Sequence, residues 1–173
     1  MFRQPTLKIF LTLAVFALIT TAITAQAPPL TFRTADGGSV NLADSRGKIV
    51  VLSFGGTWVP LAAKELPALQ KLADRYANRG VNFYWVSINS NKPGAKNYAS
   101  DADLQAFAQK NGLRLMVLRD PDQAAYRALG VDALPTVVIL DREGKTFRKH
   151  VGFDPEQVEA YSQVIRSLEQ LLK

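Results

Sequence analysis

The sequence predicts an α/β domain: a central mixed β-sheet flanked by helices on both faces, with an N-terminal β-hairpin. Three observations carry this. Residues 49–54, 81–88 and 136–140 are apolar runs rich in β-branched and aromatic side chains, the composition of strands covered on both sides. The segments between them repeat apolar residues at three- and four-residue steps, the period of a helix. Strands that alternate with helices imply parallel neighbours joined by right-handed crossovers.

Each element has a local reason. Residues 30–34 and 39–42 are extended runs around Asp36-Gly37-Gly38, a turn that favours positive φ, so they read as a hairpin. Arg46-Gly47-Lys48 is a break before the strand at 49–54. Gly55-Gly56 turns the chain, and a helix is expected to start near Pro60, since proline suits the first helical position. Leu66, Leu69, Leu72, Ala73 and Tyr76 form its apolar stripe; Pro67 should kink it and Gly80 should close it. After the strand at 81–88, residues 89–100 form a polar loop. Ser100 and Asp103 make a capping box for a helix that carries Leu104, Phe107 and Ala108 and ends at Gly112. Residues 113–118 read as extended. Asp120-Pro121 with Gln123 starts a short helix that ends at Gly130, and Asp154-Pro155 with Gln157 starts the last one. Its stripe is Val158, Tyr161, Ile165, Leu168 and Leu172. Between the two, residues 136–140 and 146–151 form a second hairpin.

Residues 1–25 read as a secretory signal. Arg3 and Lys8 make a positive start, residues 9–19 are almost wholly apolar, and small residues follow up to Ala25. Two fates stay open, cleavage after Ala25 or retention as a membrane anchor, and both place the domain outside the cytoplasm. Residues 26–29 are a tether and 30–173 the folded domain. The formal net charge is +6, but basic and acidic residues are interspersed, so neither nucleic acid nor a membrane surface is an expected partner. The chain has 0 cysteines, which excludes disulfides, thiolate metal sites, lipoprotein acylation and cysteine nucleophiles. His150 is the lone histidine and has no base or ligand partner of its own kind. Asp120, Asp122 and Asp132 could suggest a divalent metal, but Asp120 is accounted for as a helix cap. No metal or cofactor is expected.

The segment that should carry chemistry runs Phe54-Gly55-Gly56-Thr57-Trp58-Val59-Pro60-Leu61-Ala62-Ala63-Lys64-Glu65-Leu66-Pro67, between a buried strand and a helix. It resembles the thioredoxin superfamily, specifically the extracytoplasmic TlpA-like redoxins, whose pattern here is Phe-Trp-Ala-Thr-Trp-Cys-x-x-Cys-x-x-Glu-x-Pro. Phe54, Thr57, Trp58, Pro60, Glu65 and Pro67 match; Val59 and Ala62 stand where the two cysteines would. Asp120-Pro121, Gly130-Val131, Leu134-Pro135-Thr136 and Asp141-Arg142-Glu143-Gly144 follow the same family's order, so the resemblance spans about residues 30–170.

The resemblance implies a thioredoxin-like fold, a cis bond before Pro135, and a thiol-disulfide oxidoreductase activity that this chain lacks the atoms to perform. In that family a cysteine at a helix N-terminus has its pKa lowered from ~8.5 toward ~7, attacks a disulfide, and is resolved by the second cysteine. Val59 has no ionisable atom and Ala62 cannot resolve an intermediate, so no catalytic residue is expected. Ser53 and Thr57 are nearby hydroxyls without an adjacent base. Glu65 matches a glutamate that the family uses to tune its thiols; it is either a carboxylate on the helix's polar face or a buried group with a raised pKa. What remains is a surface. Trp58, Val59, Pro60, Leu61 and Ala62 form an apolar turn beside Leu134 and Pro135, where the family holds an extended substrate segment. The expectation is a redox-inactive, exported redoxin that binds a peptide or partner protein in the periplasm or an equivalent space. The alternatives are an active TlpA-like oxidoreductase, opposed by the missing cysteines, and a structural subunit of an envelope redox or cytochrome-maturation assembly.

Overall fold

The computed structural model describes residues 30–157 and 159–173; the leader at 1–25, the tether at 26–29 and Val158 lie outside the described residues. Among the described residues seven strands form one sheet: β1 (Thr31–Thr34), β2 (Ser39–Asn41), β3 (Ile49–Gly55), β4 (Val81–Ser87), β5 (Val117–Arg119), β6 (Thr136–Leu140) and β7 (Thr146–Val151), in the order β2-β1-β5-β4-β3-β6-β7. β3 pairs parallel with β4 and β4 with β5, while the hairpins β1–β2 and β6–β7 add antiparallel edges. Four α-helices among the described residues pack on it: α1 (Ala62–Tyr76), α2 (Asp101–Lys110), α3 (Ala124–Ala128) and α4 (Ser162–Leu171).

The period of two along β3 explains why a fully apolar run was needed. Ile49 and Val51 face a core that contains Leu66 and Leu69 of α1, Leu104 of α2 and Leu168 of α4. Val50, Leu52 and Phe54 face the opposite core with Phe32, Val131 and Val138. Each fully buried Leu or Phe side chain contributes about 1.5–3 kcal/mol relative to exposure, so β3, buried at every residue, is the spine of the domain. Among the described residues no helix is long and apolar enough to cross a membrane.

The hairpin and capping-box expectations hold: Phe32 pairs with Val40, and the Ser100 Oγ and Asp103 carboxylate bond each other's backbone N–H. Five boundaries differ. α1 ends at Tyr76 with Ala77 as its C-cap, four residues before the expected Gly80. α1 starts at Ala62, because the Ala62 N–H bonds the Val59 carbonyl at 3.0 Å and closes a turn before the first helical bond. α3 starts at Ala124: Asp120 does cap it, but by reaching forward to the N–H groups of Ala125 (3.2 Å) and Tyr126 (2.8 Å), with Gln123 at φ +55° in between. α4 starts at Ser162, since the Asp154 carboxylate accepts from the Glu156 N–H at 3.0 Å and makes an Asx turn instead of a helix cap. β5 shrinks to three residues: the Arg114 N–H is taken by the Gln70 side chain of α1 at 2.7 Å, leaving that part of 113–118 outside the sheet. Helix α1 is continuous through Pro67.

Candidate functional site

β3 ends at Gly55, and residues 56–61 carry the chain over the end of the sheet into α1. Two successive turns build this segment: the Val59 N–H bonds the Gly56 carbonyl at 3.0 Å, and the Ala62 N–H bonds the Val59 carbonyl. Neither Gly55 nor Gly56 has positive φ; both are needed for space. A Cβ on Gly55 would stand 2.8 Å from the Trp85 Nε1, and one on Gly56 2.4 Å from the Trp58 ring. Trp85 is thus folded into the place beside Gly55, where the redoxin pattern has a tryptophan of its own. A glycine at that position, with a tryptophan in the partner strand at the Ser53↔Trp85 pair, was the available signal for this exchange.

The predicted apolar surface is narrower than the sequence suggested. Trp58 is 45% exposed and Pro60 is exposed, Val59 and Leu61 are half-buried, and Ala62 is 0% exposed. Ala62 opens α1 with its methyl group in the core, so it lines no surface. Leu134 is half-buried against the core cluster of Phe54 and Pro135 is buried. The Phe54↔Thr136 pair sets the end of β3 beside the start of β6, which brings Leu134-Pro135 to the same end of the sheet as the Gly56 turn. The Leu134-Pro135 bond is cis.

A residue that sequence reasoning missed fixes the turn. Asn89, 1% exposed, accepts the Thr57 N–H at 3.0 Å and the Ser87 hydroxyl at 2.9 Å, and donates to the Thr57 Oγ1 at 2.8 Å and the Asn97 carbonyl at 3.0 Å. One side chain thereby ties the Trp58 turn to the loop after β4. Nothing in the local sequence distinguishes it from the other polar residues of that loop. Asn89→Ala takes a partner from four groups, of which the Ser87 hydroxyl is buried and those of Thr57 and Asn97 are half-buried, and is expected to lower stability by about 2 kcal/mol, read by urea unfolding.

Beneath the turn, Glu65 is 0% exposed, which excludes a place on the polar face of α1. Its Oε1 accepts the Ser53 hydroxyl at 2.5 Å and the Tyr161 hydroxyl at 3.0 Å, and among the described residues its Oε2 has no partner. Burial pushes the carboxyl up to about 7, against the lowering effect of the two hydroxyls. Tyr161 is pushed well above its ordinary value by burial and then by the Glu65 charge. The spacing held a clue: Glu65 lies four, seven and eleven positions before Leu69, Leu72 and Tyr76, on the buried stripe itself. His150 sits away from this cluster, with its Nε2 3.1 Å from the Ser167 Oγ of α4; burial, then Arg148 and Arg166, lower its pKa.

The comparisons agree with this architecture. Residues 23–147 match the AhpC/TSA family. The thiol-disulfide oxidoreductase ResA of Bacillus thuringiensis is 30% identical over 137 residues, covering 79% of this chain and 74% of that protein. The exposed lipoprotein thioredoxin of Streptococcus pneumoniae superposes with a TM-score of 0.66 at 27% identity, over 83% of this chain and 99% of that one. A secreted disulfide oxidoreductase of Mycobacterium tuberculosis superposes with a TM-score of 0.60 at 25% identity, over 80% and 92%. With residues 23–147 matching that family and a ResA relative 30% identical over most of both chains, this chain belongs to the AhpC/TSA family, as a thioredoxin-like redoxin of the ResA kind.

Proposed function

We propose that this protein is a redox-inactive redoxin, exported from the cytoplasm, that binds an extended segment of a partner protein at the Trp58 turn. The observation that carries the reading is the pairing of a kept surface with missing chemistry. Trp58 stands exposed at the end of the sheet to which the Phe54↔Thr136 pair also brings the Leu134-Pro135 step, while Val59 and Ala62 supply no sulfur. An indole offers a large apolar area with few torsions to order, which suits a recognition anchor. Main-chain groups beside Pro135 are where the family resemblance puts a substrate strand. Export is supported by the leader pattern and by relatives described as an exposed lipoprotein and a secreted enzyme.

An active oxidoreductase is the second reading, and the buried Glu65 favours it as a retained part of the thiol-tuning machinery. The two separate cleanly. The proposal expects insulin-disulfide reduction at the buffer rate. It also expects partner capture by the full chain from an envelope extract to fall about 30-fold in Trp58→Ala, a loss of ~2 kcal/mol typical of an anchor, with a further loss in Leu134→Asp. Turnover above the buffer rate, or capture indifferent to both substitutions, overturns it.

A further inference from the structure

Among the described residues β7 is the last strand of the sheet, and one of its edges has no strand beside it. The Gly152 N–H bonds the Pro135 carbonyl at 2.8 Å, and the register continues through Val137↔His150 and Ile139↔Arg148. Bonds of an antiparallel ladder alternate along each strand. His150 and Arg148 therefore turn their peptide groups toward β6, and Lys149 and Val151 turn theirs outward. The register shifts between Ile139 and Leu140, which limits the regular edge to residues 148–151.

A cleft of about 450 Å³ opens beside the end of this strand, between it and α4. Lys149, His150, Val151 and Gly152 line one side, with Val137 of β6 among them, and Tyr161, Gln163 and Val164 line the other. Val151 is 63% exposed there.

Arg148 of β7 and Arg166 of α4 stand near enough to His150, which lines the cleft, to add to burial in lowering its pKa. Among the described residues no carboxylate pairs with either arginine. Edge strands commonly use lysine to repel other strands. Lys149 does not serve that way here, since its Nζ is drawn onto the Gly130 carbonyl at 2.5 Å, leaving the backbone edge clear. Asp154 is the one acid lining the cleft, at its far end, and it is engaged in its own turn.

We propose that the outer edge of β7 is a strand-addition site for an extended acidic segment of a partner protein. The peptide groups of that segment pair with Lys149 and Val151, and its carboxylates meet Arg148 and Arg166. The site is separate from the Trp58 turn and stands whether or not that turn binds anything. A second copy of this chain is the poorer occupant, because pairing two such edges sets cationic strands against each other.

The probe is a fluorescein-labelled peptide of alternating Val and Glu, titrated into the full chain beside the same peptide with Gln or with Lys in place of Glu. The Glu peptide is expected to bind about tenfold more tightly than the Gln peptide, to weaken with added salt, and to slow hydrogen exchange at the Lys149 and Val151 amides. Val151→Pro removes an outward donor without touching the β6 ladder and is expected to cost about tenfold in affinity. Arg148→Glu should do the same, with thermal unfolding as the check that either variant is folded. Trp58→Ala should leave this binding unchanged. Equal affinity for the Glu and Gln peptides, protection at other amides, binding lost in Trp58→Ala but kept in Val151→Pro, or a concentration-dependent dimer abolished by Val151→Pro would each overturn the assignment.

Discussion

Placing cysteine at both Val59 and Ala62 is expected to switch on dithiol-disulfide exchange in a chain that has none. The Val59–Ala62 turn, closed by the 3.0 Å bond between the Ala62 N–H and the Val59 carbonyl, holds the two Cα atoms within the ~7 Å of a β-turn, a separation a disulfide spans. Val59 is half-buried and reachable, while Ala62 lies behind it in the core, so the first sulfur would attack and the second would resolve. The opening amides and dipole of α1 stabilise a thiolate, and a pKa near ~7 makes roughly half of the first thiol reactive at neutral pH, against about 3% for an unperturbed thiol at ~8.5. Insulin reduction should rise from the buffer rate to a clear turnover. Val59→Cys alone should attack but stall as a mixed disulfide, since nothing resolves it. A folded double variant whose thiols both titrate near ~8.5 would show that the turn, which precedes α1 by three residues, lies beyond the helix's reach.

That three-residue offset marks the limit of what the sequence could convey. Signals that act over a few residues were legible: the Asp36-Gly37-Gly38 turn, the Ser100–Asp103 capping box and the unbroken apolar run of β3 each have one local solution, and each is present. Asp120-Pro121 and Asp154-Pro155 were ambiguous because the same side chain serves a helix cap or an Asx turn, and the choice is made by what the following residues can bury. The site was half legible for a related reason. The motif located Trp58, Val59 and Glu65 along the chain, but exposure depends on packing between distant segments. Ala62 turned inward, Trp85 filled the space beside Gly55 from the neighbouring strand, and Asn89 reached back across the sheet end to Thr57. None of those contacts has a sequence period to betray it.

Glu65 yields the second large effect, in the pH dependence of stability. Its carboxyl titrates at about 7 in the folded chain, with burial the dominant cause, and near the ordinary glutamate value of ~4.3 once unfolded. Between those two values the folded state holds a proton that the unfolded state has released. The slope of unfolding free energy against pH follows protons bound unfolded minus protons bound folded; it is negative here, so stability falls as pH rises through this window. The full cost, about 4 kcal/mol at one pKa unit per ~1.4 kcal/mol, is in place above pH ~7. His150 works in the opposite sense, because its folded pKa is lowered and stability is lost as pH falls through its unfolded value of ~6.5. The two are separated by comparison with Glu65→Gln, which keeps an acceptor for Ser53 and Tyr161 but cannot ionise. Urea unfolding at pH 5 should find the variant ahead by only about 1 kcal/mol, and at pH 8 more stable by about 4 kcal/mol. Glu65→Ala should instead be weaker at both pH values, since it strands two buried hydroxyls and leaves a cavity. A constant gap between wild type and Glu65→Gln from pH 5 to 8 would mean that Glu65 does not change protonation in this window, and that water or a rearranged Oε2 partner keeps it ionised throughout.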